Sequence, residues 1–195
     1  MSKGADTRED ILLRAARVFN TKGYAGAALS DIMQATGLQK GGIYNHFESK
    51  EKLALEAFDF ALALTGERMQ QALTGKTNAR ERLLALLAFF EDYSHNPPIP
   101  GGCPIMNTAI ENDDGNPELR KRARAAMENW RQFIIRTVKR GVERGELRPK
   151  ADPEQTATIF IATIEGSIMM SKLYRDTMHL DRALVHLRQY VEEAL

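Results

Sequence analysis

The sequence predicts an all-α fold of about nine helices, and three observations carry that prediction. Apolar residues recur at three- and four-residue spacing in nearly every segment. Gly and Pro clusters separate those segments. No stretch shows the strict alternation of a half-buried strand. Residues 7–22 place Ile11, Leu12, Ala15, Ala16 and Phe19 on one face, with Thr7 as expected N-cap and Lys22-Gly23 as the stop. Residues 29–36, closed by Gly37, and residues 40–46 make two short helices. Ser49 caps a fourth that runs to about residue 74. Residues 78–94 make a fifth, before the Pro- and Gly-rich loop 95–102. Residues 103–113 follow, with Pro104 in the first turn. A long helix begins at Pro117 and ends near Gly145, and residues 153–175 and 180–194 are the last two.

Composition bounds the function. The 195 residues are 43% hydrophobic, too apolar for disorder and enough to bury a core. No apolar run is long enough for a membrane span, and the polar N-terminus does not resemble a signal peptide, so a cytoplasmic protein is expected. The single cysteine, Cys103, excludes an intramolecular disulfide and a Cys-based zinc site. Net charge is +1, which rules out a globally basic coat but not a local patch. The charge is uneven: residues 117–150 hold 11 basic and 4 acidic side chains, a local net of +7. That block reads first as a solvated helix face, with a direct nucleic-acid role as the alternative.

The first fifty residues carry the sharpest signal. Two short helices joined by Gly37-Leu38-Gln39 have the spacing of a helix-turn-helix. Ile32 and Leu38 would pack between them, and Ile43 and Phe47, four apart, would pin the second one down. The faces left free hold Gln39, Lys40, Gly41, Gly42, Tyr44, Asn45 and His46, with Lys50 close by. Lys and Tyr reach phosphates, and Gln and Asn read base edges. The two glycines are poor helix formers, costing about 1 kcal/mol each. Their use would be close approach of backbone to a phosphate.

Thr21–Tyr24, Ile32–Leu38 and Lys40–Leu53 together resemble the DNA-binding region of the TetR/AcrR family of transcriptional regulators. The resemblance implies an N-terminal three-helix domain, residues 1–48, and a C-terminal helical ligand-binding and dimerisation domain, residues 49–195. It implies a homodimer on a double-stranded operator, released by a small-molecule effector. By the same resemblance Tyr44 and Lys50 fall on phosphate-contacting positions, and Gln39, Lys40 and Asn45 on base- or backbone-contacting ones. The chain departs from the pattern at Ala28, where Ser or Thr would cap the second helix, and at Gln39, often Ser. Ser30 would replace the first cap only by shifting the helix start.

In the C-terminal half, candidate pocket residues are Phe58, Leu62, Phe89, Phe90, Tyr93, Met106, Trp130, Phe133, Ile134, Phe160 and Ile164. Asn107 and Thr137 join them as polar groups able to orient a ligand, as does Glu165. Residues 157–170 are apolar nearly all round, with Gly166 and Ser167 small, so the last two helices are the expected dimer interface. Cys103 sits at a helix start, where a thiol pKa falls, and reads either as a sensor thiol or as a small buried hydrophobe. The four histidines make no metal-ligand set, and no phosphate loop or nucleophile–base motif is present. A binding protein without cofactor, metal or catalysis is therefore expected.

Overall fold

The computed structural model describes residues 3–195. Among these the chain forms nine helices and no strand: α1 (Lys3–Lys22), α2 (Leu29–Thr36), α3 (Lys40–Tyr44), α4 (Lys50–Leu73), α5 (Ala79–His95), α6 (Pro104–Glu111), α7 (Pro117–Glu143), α8 (Pro153–Tyr174) and α9 (Met178–Glu193). The all-α prediction and the order of its elements hold. Helix α1 begins before Thr7, which lies inside the helix and does not start it. Residues 3–6 hold no proline to stop the helix, so a polar residue with capping chemistry was no boundary.

The helices pack into two compact units. One takes in the chain up to Thr65 together with Pro98–Arg124; the other is Gly66–Pro97 with Ala125–Leu195. Both α4 and α7 contribute to each. These units reflect packing and do not coincide with a division by role at residue 48.

The first unit is built on Ile11, Leu12, Ala15 and Ala16 of α1, closed by Ile32, Ile43, Phe47, Leu53, Ala57 and Ile99. Ile32, Ile43 and Ile99 are fully buried. A second cluster joins Leu55 and Phe58 to Leu119 and Ala123. Positive-φ glycines make the tight exits: Gly23 (φ 77°) ends α1 and Gly37 (φ 72°) makes the turn between α2 and α3.

In the second unit Leu83, Leu86 and Leu87 of α5, Ile134 and Val138 of α7, Phe160 and Ile164 of α8, and Leu180, Leu184, Leu187 and Val191 of α9 are buried. Arg188 pairs with Glu91, tying α9 to α5, and Arg131 pairs with Glu154, tying α7 to α8. Gly141 lets the end of α7 close on the start of α5. A Cβ there would lie 2.5 Å from the Ala79 Cβ and 2.7 Å from a Leu147 methyl. Gly141→Ala should therefore cost about 1–3 kcal/mol through overpacking. Gly66, also helical, has nothing within 4 Å of such a Cβ, and Gly66→Ala should gain up to about 1 kcal/mol. Denaturant titration of the two variants should give shifts of opposite sign.

Candidate nucleic-acid interface

Helix α3 is five residues long and is held from one side only. Ile43 and Phe47 point into the core, and Leu38 packs against it from the turn. The opposite side is solvent: Gln39, Lys40, Gly41, Tyr44 and Asn45 are exposed, and Gly42, His46 and Lys50 are half-buried. The Lys40 ammonium lies 5.7 Å from the centre of the Tyr44 ring. A Cβ at Gly42 would touch Leu38 at 3.5 Å, whereas one at Gly41 would meet nothing within 4 Å. Packing within the chain thus gives no reason for Gly41.

The side-chain cap expected to be missing at Ala28 is absent, and only the reciprocal half of a capping box is present. The Asp31 carboxylate accepts the Ala28 N–H at 2.8 Å and pairs with Lys22 at 2.7 Å. The Lys22 hydrogen bond, with that of Ala28, holds the Asp31 carboxyl below its ordinary pKa. Helix α2 therefore starts at Leu29 without Ser30 as cap. Gln39 stands at the start of α3 and gives no side-chain cap, as its residue type foretold. Ser49 does cap α4, accepting the Lys52 N–H at 3.0 Å.

Lys50 has a second commitment that the sequence did not reveal. Its Nζ donates to the Tyr24 carbonyl at 2.8 Å and lies 4.6 Å from the Tyr24 ring centre. On the other side of the same residue, the Tyr24 N–H donates to Glu111 Oε2 at 2.8 Å, and the Ala25 N–H donates to Oε1 at 2.7 Å. Burial raises the Tyr24 hydroxyl pKa, and the Glu51 charge adds to the effect. The α1–α2 turn is thus clamped between α4 and α6.

A second bridge stands beside the clamp. Asn20 donates to the carbonyls of Pro100 and Gly102 at 2.8 and 2.9 Å. Asn107 donates to Asn20 Oδ1 at 2.9 Å and to the Gly101 carbonyl at 2.8 Å. Asn20 and Glu111 were missed from sequence because their partners lie 80 or more residues away and leave no local pattern.

The candidate pocket residues do not collect in one place. Phe58, Leu62, Met106 and Asn107 belong to the first unit; Phe58 and Asn107 line a crevice of only about 30 Å3 there. In the second unit Phe90 stacks on Trp130 at 5.2 Å, with Phe89 and Tyr93 against it. The indole N–H of Trp130 is buried and has no hydrogen-bond partner. Phe89 also lines a cleft of about 730 Å3 between the end of α4 and α5. Phe133 and Thr137 line another, of about 380 Å3, beside α7. Ile134, Phe160 and Ile164 are fully buried core. Glu165 is buried on α8, and Cys103 is buried at the N-cap of α6.

Among the described residues, six of the eight large exposed hydrophobics fall within residues 169–185: Met169, Met170, Leu173, Tyr174, Met178 and Val185. They lie on α8 and α9, which pack together. Among the described residues no helix is long and apolar enough to cross a membrane.

Comparison with known proteins matches both ends of the chain. Residues 11–57 match the family described as bacterial regulatory proteins, tetR family. Residues 79–187 match the tetracyclin repressor-like C-terminal domain. A TetR transcriptional regulator from Chloroflexus aurantiacus has the same fold at a TM-score of 0.94, with 48% identity over 99% of this chain and 98% of that one. The transcriptional repressor DhaR of Mycobacterium sp. (strain GP1) is 26% identical over 91% of this chain and 88% of its own. A cysteine mutant of the TetR-family regulator CifR, complexed with 26 bp double-strand operator DNA, superposes with a TM-score of 0.75. It is 27% identical, covering 90% of this chain and 93% of that one.

Proposed function

Because the chain belongs to the TetR family of bacterial regulatory proteins, we propose that it is a ligand-responsive transcriptional repressor and not an enzyme. It acts in the cytoplasm as a homodimer on a near-palindromic operator. The exposed face of α3 carries the reading. Two copies of that face, roughly 34–36 Å apart, would enter successive major grooves. In this division by role, residues 1–48 bind DNA and residues 49–195 dimerise and respond to the effector. Gly41 supports the reading, since a helical glycine unneeded by packing suits close approach by a phosphate. Footprinting should show a protected site with twofold symmetry; an asymmetric site bound by a monomer would refute the proposal.

Individual contacts separate by their response to salt. Lys40→Ala should flatten the log–log salt dependence of operator binding by about one unit for the lost phosphate contact. Tyr44→Phe should weaken specific and nonspecific DNA alike. Lys50→Ala should do the same and also destabilise the fold, because it removes the donor to the Tyr24 carbonyl. Asn45→Ala should change sequence preference more than salt slope. Gln39, Gly42 and His46 complete the surface. An unchanged slope for Lys40→Ala would remove it from the interface.

The effector is a small molecule placed against Phe89, Phe90, Tyr93 and Trp130. A buried donor left unpaired costs about 1–3 kcal/mol, so the Trp130 indole N–H favours a ligand with an acceptor. A coupling of about 1–3 kcal/mol would lower operator affinity roughly 5- to 150-fold, and DNA would weaken effector binding by the same factor.

One observation favours a second input, through Cys103. It is buried at the N-cap of α6, and its carbonyl accepts the N–H of Asn107, the residue whose side chain holds Asn20 of α1. Modification of the thiol would disturb the start of the helix that holds α1 and the α1–α2 turn. Alkylation rate against pH should give a thiol pKa below about 8.5, as expected at a helix start. Cys103→Ser should keep operator binding and lose release by electrophiles or oxidants. An ordinary pKa, or release that survives the substitution, would make Cys103 a packing residue.

A further inference from the structure

Three arginines of the basic block 117–150 meet two cations from earlier in the chain at one cleft. We propose that the cleft between the start of α5 and the end of α7 binds a small oligoanion carrying two or more phosphate or carboxylate groups. The cleft has a volume of about 380 Å3 and lies wholly within the second unit. Lys76, Arg82, Arg136, Arg140 and Arg144 line it, against one carboxylate, Glu146. That carboxylate is already engaged: it accepts the Ala79 N–H at 2.7 Å and stands 4.0 Å from Arg144. Among the described residues no carboxylate pairs with Lys76, Arg82, Arg136 or Arg140.

Three features make this more than a solvated helix face. Arg136, Arg140 and Arg144 follow one another at four-residue spacing, so their guanidinium groups repel along a single stripe. A bound anion removes that repulsion. Arg82 is preset from the opposite wall: it donates to the Lys76 carbonyl at 3.1 Å and lies 5.4 Å from the Phe133 ring centre. The floor is fixed, because Gly141 brings α7 against Ala79 so closely that no side chain would fit. Several guanidinium forks around one concavity suit oxyanions, which they bind bidentately. Phe133 adds an apolar wall, and Thr137 is not a competing ligand because its hydroxyl donates to the Phe133 carbonyl at 2.8 Å. The assignment is separate from the effector reading and stands or falls without it.

The test is calorimetric titration of the full chain with sodium tripolyphosphate and with citrate, at ionic strength matched with sodium chloride. Saturable binding of one anion per chain is expected. Arg136→Gln/Arg140→Gln, at two exposed positions, should weaken it about tenfold or more. The same charge change in Lys121→Gln/Arg124→Gln, at exposed positions near the other end of α7, should leave it unchanged. Tighter binding of tripolyphosphate supports a phosphorylated ligand, and tighter binding of citrate a polycarboxylate; both support the site. Equal weakening by the two double variants, or absence of saturation, would overturn it. So would a salt slope for nonspecific DNA that falls by about two units in Arg136→Gln/Arg140→Gln, since the cleft would then be a nucleic-acid surface. Melting without anion checks folding: the Arg136→Gln/Arg140→Gln protein should melt at or above the wild-type temperature. Anion-dependent stabilisation that persists in that variant would refute the proposal whatever the calorimetry gave.

Discussion

Gly166→Arg should convert the protein to a monomer and lower operator affinity about 10²- to 10⁴-fold, while leaving each chain folded. The α8 surface at Gly166 is open, with nothing within 4 Å of where a Cβ would stand. An arginine therefore fits the isolated chain, and it is a better helix former than glycine by up to about 1 kcal/mol. Gly166 shares its face with Ala162, Met169, Met170 and Leu173, at spacings of three, four and seven. The exposed Leu173 (70%) and Tyr174 (63%) end the same helix. A twofold interface brings a central residue close to its own copy, so the substitution would place two unpaired charges in a closing apolar seam. In the proposed dimer, loss of the seam would leave one recognition helix in place of two. The second half-site contact then has no effective-concentration advantage, which is the source of the expected factor. Sedimentation and helical circular dichroism together check the result. A dimer with full operator affinity after Gly166→Arg would place the interface elsewhere.

What the sequence made legible was local. Ile32, Leu38, Ile43 and Phe47 could be assigned because one helix face and one turn place them. Gly23 and Gly37 could be assigned because few residues tolerate a left-handed exit. The lost cap at Ala28 was legible from residue type, whereas the Asp31 carboxylate that accepts the Ala28 N–H was not sought. The pocket candidates fared differently for a physical reason. Helical spacing of apolar residues reports burial, and burial is shared by core and cavity. Phe160 and Ile164 are core, Phe133 faces a basic cleft, and Asn107 is bound to Asn20. The cleft itself was half visible. The basic surplus of residues 117–150 could be read from composition, but Lys76 and Arg82 stand 54–60 residues before Arg136 and join it only in the fold. The clamp on Tyr24 had no local signature.

That clamp should be the most sensitive point of the first unit. Glu111→Ala is expected to cost about 3 kcal/mol or more and to weaken operator binding in proportion to the disorder of α2. The carboxylate accepts two backbone N–H groups, those of Tyr24 and Ala25. Hydrogen bonds to a charged partner are worth about 1.5–3 kcal/mol each, and the part-buried Tyr24 N–H would have no replacement. For a domain of this size each kcal/mol lowers the melting temperature by about 2–4 °C. Glu111→Gln should fall between wild type and alanine, because one carbonyl oxygen remains and the amide nitrogen faces a donor. Gly23→Ala should mimic the loss from the other side. Its φ of 77° disfavours a side chain, and the new Cβ would stand 2.9 Å from both Glu111 oxygens. Gly101→Ala is the corresponding test of the neighbouring bridge, with a Cβ 2.5 Å from the Asn20 carbonyl oxygen at φ 109°. Because Glu111 and Gly23 act on one contact, their losses should not add; the double variant should be little worse than the poorer single one. Additive losses in thermal melting, or a Glu111→Ala protein that melts and binds operator like wild type, would show that the turn is held by the Lys50 side alone.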